Sequence, residues 1–174
     1  DGRGSFVDGT SGRLTSLPSP YNAAHGIDLA DIDRDGDLDL LVCSDNNVPP
    51  RAYANNGNGV FTELLAPAMP AYSGNWSYTQ IVADFDGDGF VDWYVSDNGT
   101  PSGLLYRNNR AGGFTDVTAA ALPAGPVAYE GWGAVDVNDD GLLDLVVNTP
   151  NATPGVLWNQ GNGTFQWAPP SFWP

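Results

Sequence analysis

Three short stretches of the chain carry one acidic pattern. DIDRDGDLD (31–39), DFDGDGFVD (84–92) and DVNDDGLLD (136–144) share acidic or amide residues at positions 1, 3, 5 and 9 and a glycine at position 6. Side-chain oxygens at that spacing let a tight turn converge hard ligands on a Ca2+ ion at about 2.3–2.6 Å, with a backbone carbonyl from position 7. Glycine at position 6 permits the sharp reversal. The first loop offers Asp31, Asp33, Asp35 and Asp39 with the Asp37 carbonyl. The second offers Asp84, Asp86, Asp88 and Asp92 with the Phe90 carbonyl, and the third Asp136, Asn138, Asp140 and Asp144 with the Leu142 carbonyl. Three Ca2+ sites of structural character are expected, because the ligands leave no coordinating group free for chemistry. The neutral Asn138 makes the third site the weakest expected.

Two other readings of the loops are weaker. An EF-hand continues to a bidentate Glu at position 12, whereas position 12 here is Val42, Val95 or Val147, each in an apparent strand. A metal-free acidic turn explains one loop, but not three in one register. Apart from metal binding, the chain has few catalytic groups: one His, one Cys and no Lys, so nucleophiles and bases are scarce and no enzyme is expected. His25 reads as a strand-end residue, and Cys43 as a small buried hydrophobe.

The loops recur 53 and 52 residues apart, which makes repetition the main fact about the elements around them. A second signature keeps step in YANNGNGVF, YRNNRAGGF and WNQGNGTF, whose phenylalanines are Phe61, Phe114 and Phe165. GRGSFVDG around Phe6 reads as the outer strand of a further repeat, with no acidic loop ahead of it. Each full repeat is predicted to hold four short strands. One leads into the loop (GIDLA, QIVA, GAV) and one leaves it (DLLVCS, DWYVS, DLVVNT). The third is RAYAN, LLYRN or VLWN, and the fourth starts at the Phe after an Asn/Gly turn. No window has helical period.

Four antiparallel strands at a period of roughly 50 residues predict an all-β fold of β-propeller blades. The expected units are 21–70, 71–123 and 124–174, with 1–20 as the outer strand and connector of a preceding or partner blade. Such rings hold roughly four to eight blades. Three should not close alone, so further blades in a parent chain, or copies of this chain, are expected. The opening on Asp1 rather than Met reads as a processed or excised piece.

Composition bounds the partners. The 174 residues are 41% hydrophobic and 11% aromatic, a globular balance, and their net charge is −15. That sign argues against nucleic acid and anionic membrane surfaces, and no run reaches the about 18 apolar residues of a membrane span. Asn-x-Ser/Thr sequons at Asn75, Asn98, Asn151 and Asn162 suit a secreted glycoprotein, although Asn-Gly-Thr is also turn chemistry.

The loop motif, the apolar strand after it and the Tyr-x-Asn-Asn-type turn together resemble the FG-GAP or VCBS-type calcium-binding propeller repeats of integrin α-subunits, bacterial surface proteins and some fungal lectins. GWGAV (131–135) is the nearest approach to the literal FG and GAP elements. The resemblance implies a seven-bladed ring in many members, an extracellular or cell-surface setting, and adhesion, carbohydrate binding or scaffolding rather than one reaction. Aromatics ahead of the first strands, Tyr21, His25, Trp76, Tyr78, Tyr129 and Trp132, are candidates to stack a sugar ring; packing between blades is the plainer role for each. A self-assembling ring or filament is the remaining expectation.

Overall fold

In the computed structural model the described residues are 7–14, 24–44, 47–72, 74, 76–100, 103–125, 130–148 and 154–169, with backbone alone at 130–132 and 154. Among them, twelve strands form three four-stranded antiparallel sheets in chain order. The first holds β1 (Ala24–Ala30), β2 (Asp39–Ser44), β3 (Arg51–Asn55) and β4 (Phe61–Glu63). The second holds β5 (Ser77–Ala83), β6 (Asp92–Asp97), β7 (Leu104–Asn108) and β8 (Phe114–Asp116). The third holds β9 (Glu130–Val135), β10 (Asp144–Asn148), β11 (Pro154–Asn159) and β12 (Phe165–Trp167). The first strand of each sheet lies beside that of the next, β1 against β5 and β5 against β9, so the sheets stack like successive blades.

Side-chain alternation explains the stacking. In β6, Trp93 and Val95 point toward the first sheet and Tyr94 toward the third. Both faces are covered, so β6 is buried along its whole length, with Trp93, Tyr94 and Val95 as consecutive apolar residues between the polar Asp92 and Ser96. The core between sheets one and two joins Leu41, Cys43 and Ala52 to Trp93, Leu104, Tyr106 and Phe114. The core between sheets two and three joins Phe85, Tyr94 and Leu105 to Leu145, Val147, Leu157 and Phe165. A Cβ on Gly26 would stand 2.8 Å from Cys43 Sγ and 3.3 Å from the Gln80 side chain, so glycine is what lets β1 and β5 approach there.

The inner strands begin two to three residues earlier than the sequence suggested, and each of their pairings contains a register shift where a bulge interrupts the ladder. The expectation of no helix needs correcting. A single turn, α1 (Thr118–Ala121), follows β8. Its alanines favour helix, Thr118 Oγ1 accepts a bond from the Leu105 N–H at 2.9 Å, and Ala121 is buried in the second core.

Phe6 lies outside the described residues. Just after it, Leu14 bridges Phe61 in parallel and Phe61 N–H donates to the Arg13 carbonyl at 2.6 Å. Phe114 N–H donates in the same way to the Ala68 carbonyl at 2.8 Å. The segment ahead of the first sheet thus runs along β4 as the connector between the first two sheets runs along β8. The outer faces of the stack carry exposed apolar residues: Ile27 (65% exposed) and Leu29 (56%) on sheet one, and Val135 (47%) on sheet three.

Candidate metal centres

Each acidic loop joins the inner strand of a sheet to its second strand, and the three loops share one internal hydrogen-bond scheme. The position-1 carboxylate accepts the N–H of the position-6 glycine: Gly36 to Asp31 at 3.1 Å, Gly89 to Asp84 at 2.8 Å and Gly141 to Asp136 at 2.8 Å. The position-3 oxygen accepts the N–H of position 5: Asp35 to Asp33, Asp88 to Asp86 and Asp140 to Asn138. Position 5 accepts the N–H of position 7, from Asp37, Phe90 and Leu142. These bonds curl the chain so that the side-chain oxygens gather on one side. The apolar residue at position 2 points the other way, Ile32 and Phe85 being buried in the two cores.

Ligand-grade oxygens of Asp31, Asp33 and Asp39 lie within 4.8 Å of one another, as do those of Asp84, Asp86 and Asp88. Among the described residues loop 3 offers no comparable carboxylate trio; there the Asn138 amide donates to Asp140 Oδ2 at 2.9 Å. Asp31 Oδ1 is buried without a hydrogen-bond partner. A buried acceptor with no donor is costly, and a cation is the group that an all-oxygen set satisfies best. The residues fit the ion that the motif implies.

The position-9 aspartates do more than the sequence pattern assigns to them. Asp39, Asp92 and Asp144 are almost fully buried, and each ties two distant backbone segments together. Asp92 Oδ2 accepts the Phe85 N–H at 3.1 Å, and its Oδ1 accepts the Asn108 N–H at 2.9 Å. Asp39 does the same with Ile32 and Asn55, and Asp144 with Val137 and Asn159. Burial pushes all three carboxyls above the ordinary range, with neighbouring aspartates adding to the effect, and Asp92 reaches about 6. A cation beside them reverses that tendency by favouring the charged form.

Asn55, Asn108 and Asn159, read from the sequence only as turn residues, are the missed members of the site. Each ends the third strand of its sheet and donates through Nδ2 to the position-8 carbonyl of its own loop, from Leu38, Val91 or Leu143. Two also reach the preceding loop: Asn108 Nδ2 to the Ile32 carbonyl and Asn159 Nδ2 to the Phe85 carbonyl, both at 2.8 Å. The available signal was an Asn 16, 16 and 15 residues after the position-9 aspartates.

The aromatic candidates only partly come together. His25 and Tyr78 meet edge to face with centroids 5.4 Å apart, and Trp76 meets Tyr78 at 6.3 Å. This trio sits where β1 and β5 begin, at the end of those strands remote from the acidic loops. Tyr21, Tyr129 and the Trp132 side chain lie outside the described residues. Of the sequons, Asn162 is exposed in the turn before β12 and Asn98 is half-buried after β6; Asn75 and Asn151 lie outside the described residues. Two clefts of about 570 and 240 Å3 flank the connectors near Thr118 and Pro123 and near Pro50 and Leu65, and none of the described aromatic candidates, His25, Trp76 and Tyr78, lines them.

The FG-GAP-like repeat family matches this sequence over residues 31–95, 84–147 and 136–174. Cartilage acidic protein 1 of Homo sapiens is 28% identical over 159 residues, covering 84% of this chain and 23% of that protein. Its Xenopus tropicalis counterpart is 30% identical over 159 residues, 84% of this chain and 24% of that protein. The chain therefore spans about a quarter of the length of these curated relatives. A solved lectin of Agrocybe aegerita, described for its specific recognition of non-reducing terminal N-acetylglucosamine, superposes with a TM-score of 0.54 at 24% identity, over 79% of this chain and 36% of that one. The likeness to the lectin is one of fold.

Proposed function

The chain belongs to the FG-GAP-like repeat family, and from that premise we propose that it is an extracellular, calcium-stabilised β-propeller repeat module for adhesion, recognition or scaffolding, without catalysis. The observation that carries this reading is the loop geometry: one hydrogen-bond scheme in three copies, with Asp31 Oδ1 of the first buried and unpartnered. A Ca2+ ion in each loop would neutralise carboxylates that repel one another and pin the turn between two strands. Three ions would bring the net charge from −15 to −9. An extracellular setting suits millimolar calcium and the sequons, and no helix among the described residues is long and apolar enough to cross a membrane. Catalysis has poor starting material: burial pushes the Cys43 thiol up to about 11, and His25 packs edge-on against Tyr78.

Native mass spectrometry of the chain in Ca2+ tests the reading directly. Three ions per chain, lost to a chelator together with a fall in melting temperature, are expected; a chain that retains no Ca2+ defeats it. The same spectrum counts subunits. We propose that the exposed Ile27, Leu29 and Val135 pack against further blades, from a longer parent chain or from other copies, because a blade face is apolar where it meets its neighbour.

Carbohydrate binding is the second reading, favoured by the His25–Tyr78–Trp76 contact, in which Trp76 is 39% exposed. N-acetylglucosamine, the sugar recognised by the lectin of like fold, is the first to try. Saturation-transfer NMR against a glycan panel is expected to label that sugar or a relative; no transfer from any glycan removes the reading.

A further inference from the structure

Loop 2 differs from its two copies in what surrounds it. Arg110 Nε and Nη2 both lie 2.7 Å from Asp88 Oδ2. Arg107 Nε stands 3.2 Å from Asp86 Oδ2, while its Nη2 donates to the Gly163 carbonyl of the third sheet at 2.8 Å. Arg34 of loop 1 lies over the Phe90 ring at 4.7 Å from its centroid. Half of the chain's six arginines therefore converge on one loop. Among the described residues, no arginine pairs with a carboxylate of loop 1 or loop 3.

Arg110 also sits where an arginine is disfavoured. Two residues after the strand-ending asparagine, the other repeats have Gly57 and Gly161 at φ of 75° and 76°, and Arg110 adopts φ 58°. Glycine enters that left-handed region freely, whereas a side chain is penalised there. The compensation visible in the structure is the paired contact with Asp88.

We infer that loop 2 is a charge-compensated calcium site, in which Arg107 and Arg110 hold Asp86 and Asp88 without an ion and make it the weakest and first-emptied of the three. This rests on the calcium reading above. Counting ligands alone ranks loop 3 lowest, because Asn138 removes one negative charge from the set. Two guanidinium groups in contact with loop 2 carboxylates place two positive charges beside the incoming ion, a larger electrostatic handicap at comparable range. The arrangement also separates docking from ion binding. Arg107 to Gly163 and Arg34 to Phe90 tie the middle sheet to both neighbours, so that sheet stays anchored at calcium concentrations that empty its own loop.

Calorimetric titration of the whole 174-residue chain with CaCl2, after chelator treatment, tests this on the native sequence, Arg110→Gly and Asn138→Asp. Arg110→Gly installs the residue used in the other repeats and relieves the backbone, so folding is not endangered. The native chain should show one step weaker than the other two. Arg110→Gly should tighten that step roughly tenfold, and Asn138→Asp should leave it unchanged while tightening a different one. A weakest step that ignores Arg110→Gly, or that responds to Asn138→Asp instead, overturns the inference while leaving the calcium reading intact. Three indistinguishable steps in the native chain overturn it too. No calcium binding in any variant defeats the calcium reading itself, and this inference with it.

Discussion

The position-9 aspartates are ligand candidates that also act as buried braces, and their two roles respond oppositely to pH. Asp92 has an ordinary value of 3.8 and is pushed up to about 6 in the fold by burial; Asp39 and Asp144 shift in the same direction. A carboxyl raised on folding binds its proton more tightly in the native state, so its penalty grows as pH rises from about 3.8 through 6 and is relieved on the way down. In chelator, the protein should therefore melt at a higher temperature at pH 5 than at pH 7. In excess Ca2+ the order should invert, because protons then compete with the ion. Calorimetric melts in the two buffers check both signs, and equal melting temperatures would count against the burial argument. The asparagines allow a second test at this scale. Asn108→Ala leaves the Ile32 and Val91 carbonyls without their amide donor, and should cost about 1–3 kcal/mol in urea unfolding. Asn55→Ala, whose Nδ2 among the described residues donates to the Leu38 carbonyl alone and in an exposed position, should cost less.

The second strand of the middle sheet is the element on which the stack depends. Trp93 is fully buried, donates its indole N–H to Gln80 Oε1 at 3.1 Å, and meets Tyr106 and Phe114 with centroids 5.9 and 5.7 Å apart. Gln80 in turn donates to the Leu41 carbonyl of the first sheet at 3.1 Å, so one side chain couples two sheets. Trp93→Ala should destabilise by about 3–5 kcal/mol in denaturant titration. Leu38→Ala, on the exposed face of loop 1, should stay within about 0.5 kcal/mol. The loop and strand periods were legible because an Asp-rich turn followed by a run such as DWYV has few alternative structures. The helical turn at 118–121 was not legible: four residues carry no period, and it forms because Thr118 and Ala121 find partners in the middle sheet and the core beyond it.

For the molecule as a whole, the exposed apolar residues of the strands lie on the two outer faces of the stack. Ile27 and Leu29 share the face of the first sheet that points away from the second, and both are exposed. If that face meets another blade, Ile27→Asp with Leu29→Asp should reduce the native chain's assembly to monomers by sedimentation velocity while leaving its bound ions unchanged. An assembly that persists in the double variant would mean the contact lies elsewhere. The arginines on loop 2 belong to this scale too, since Arg34 and Arg107 connect the central repeat to both neighbours.

Repetition, strand count and the three acidic loops were determined by the sequence alone, because each depends on residue types at short spacing: glycine where the chain reverses, aspartate where oxygens must converge, apolar runs where both faces are covered. Tertiary structure alone decided what those residues meet across sheets. Nothing local to Asn108 or Asn159 indicates that their amides reach the preceding loop, nor to Arg107 and Arg110 that they face Asp86 and Asp88. The asparagine contacts bridge up to 76 residues, and only the stacking of one sheet on the next brings them within hydrogen-bond range, whereas the arginines meet their aspartates because the end of β7 and the turn after it lie beside loop 2 of the same sheet.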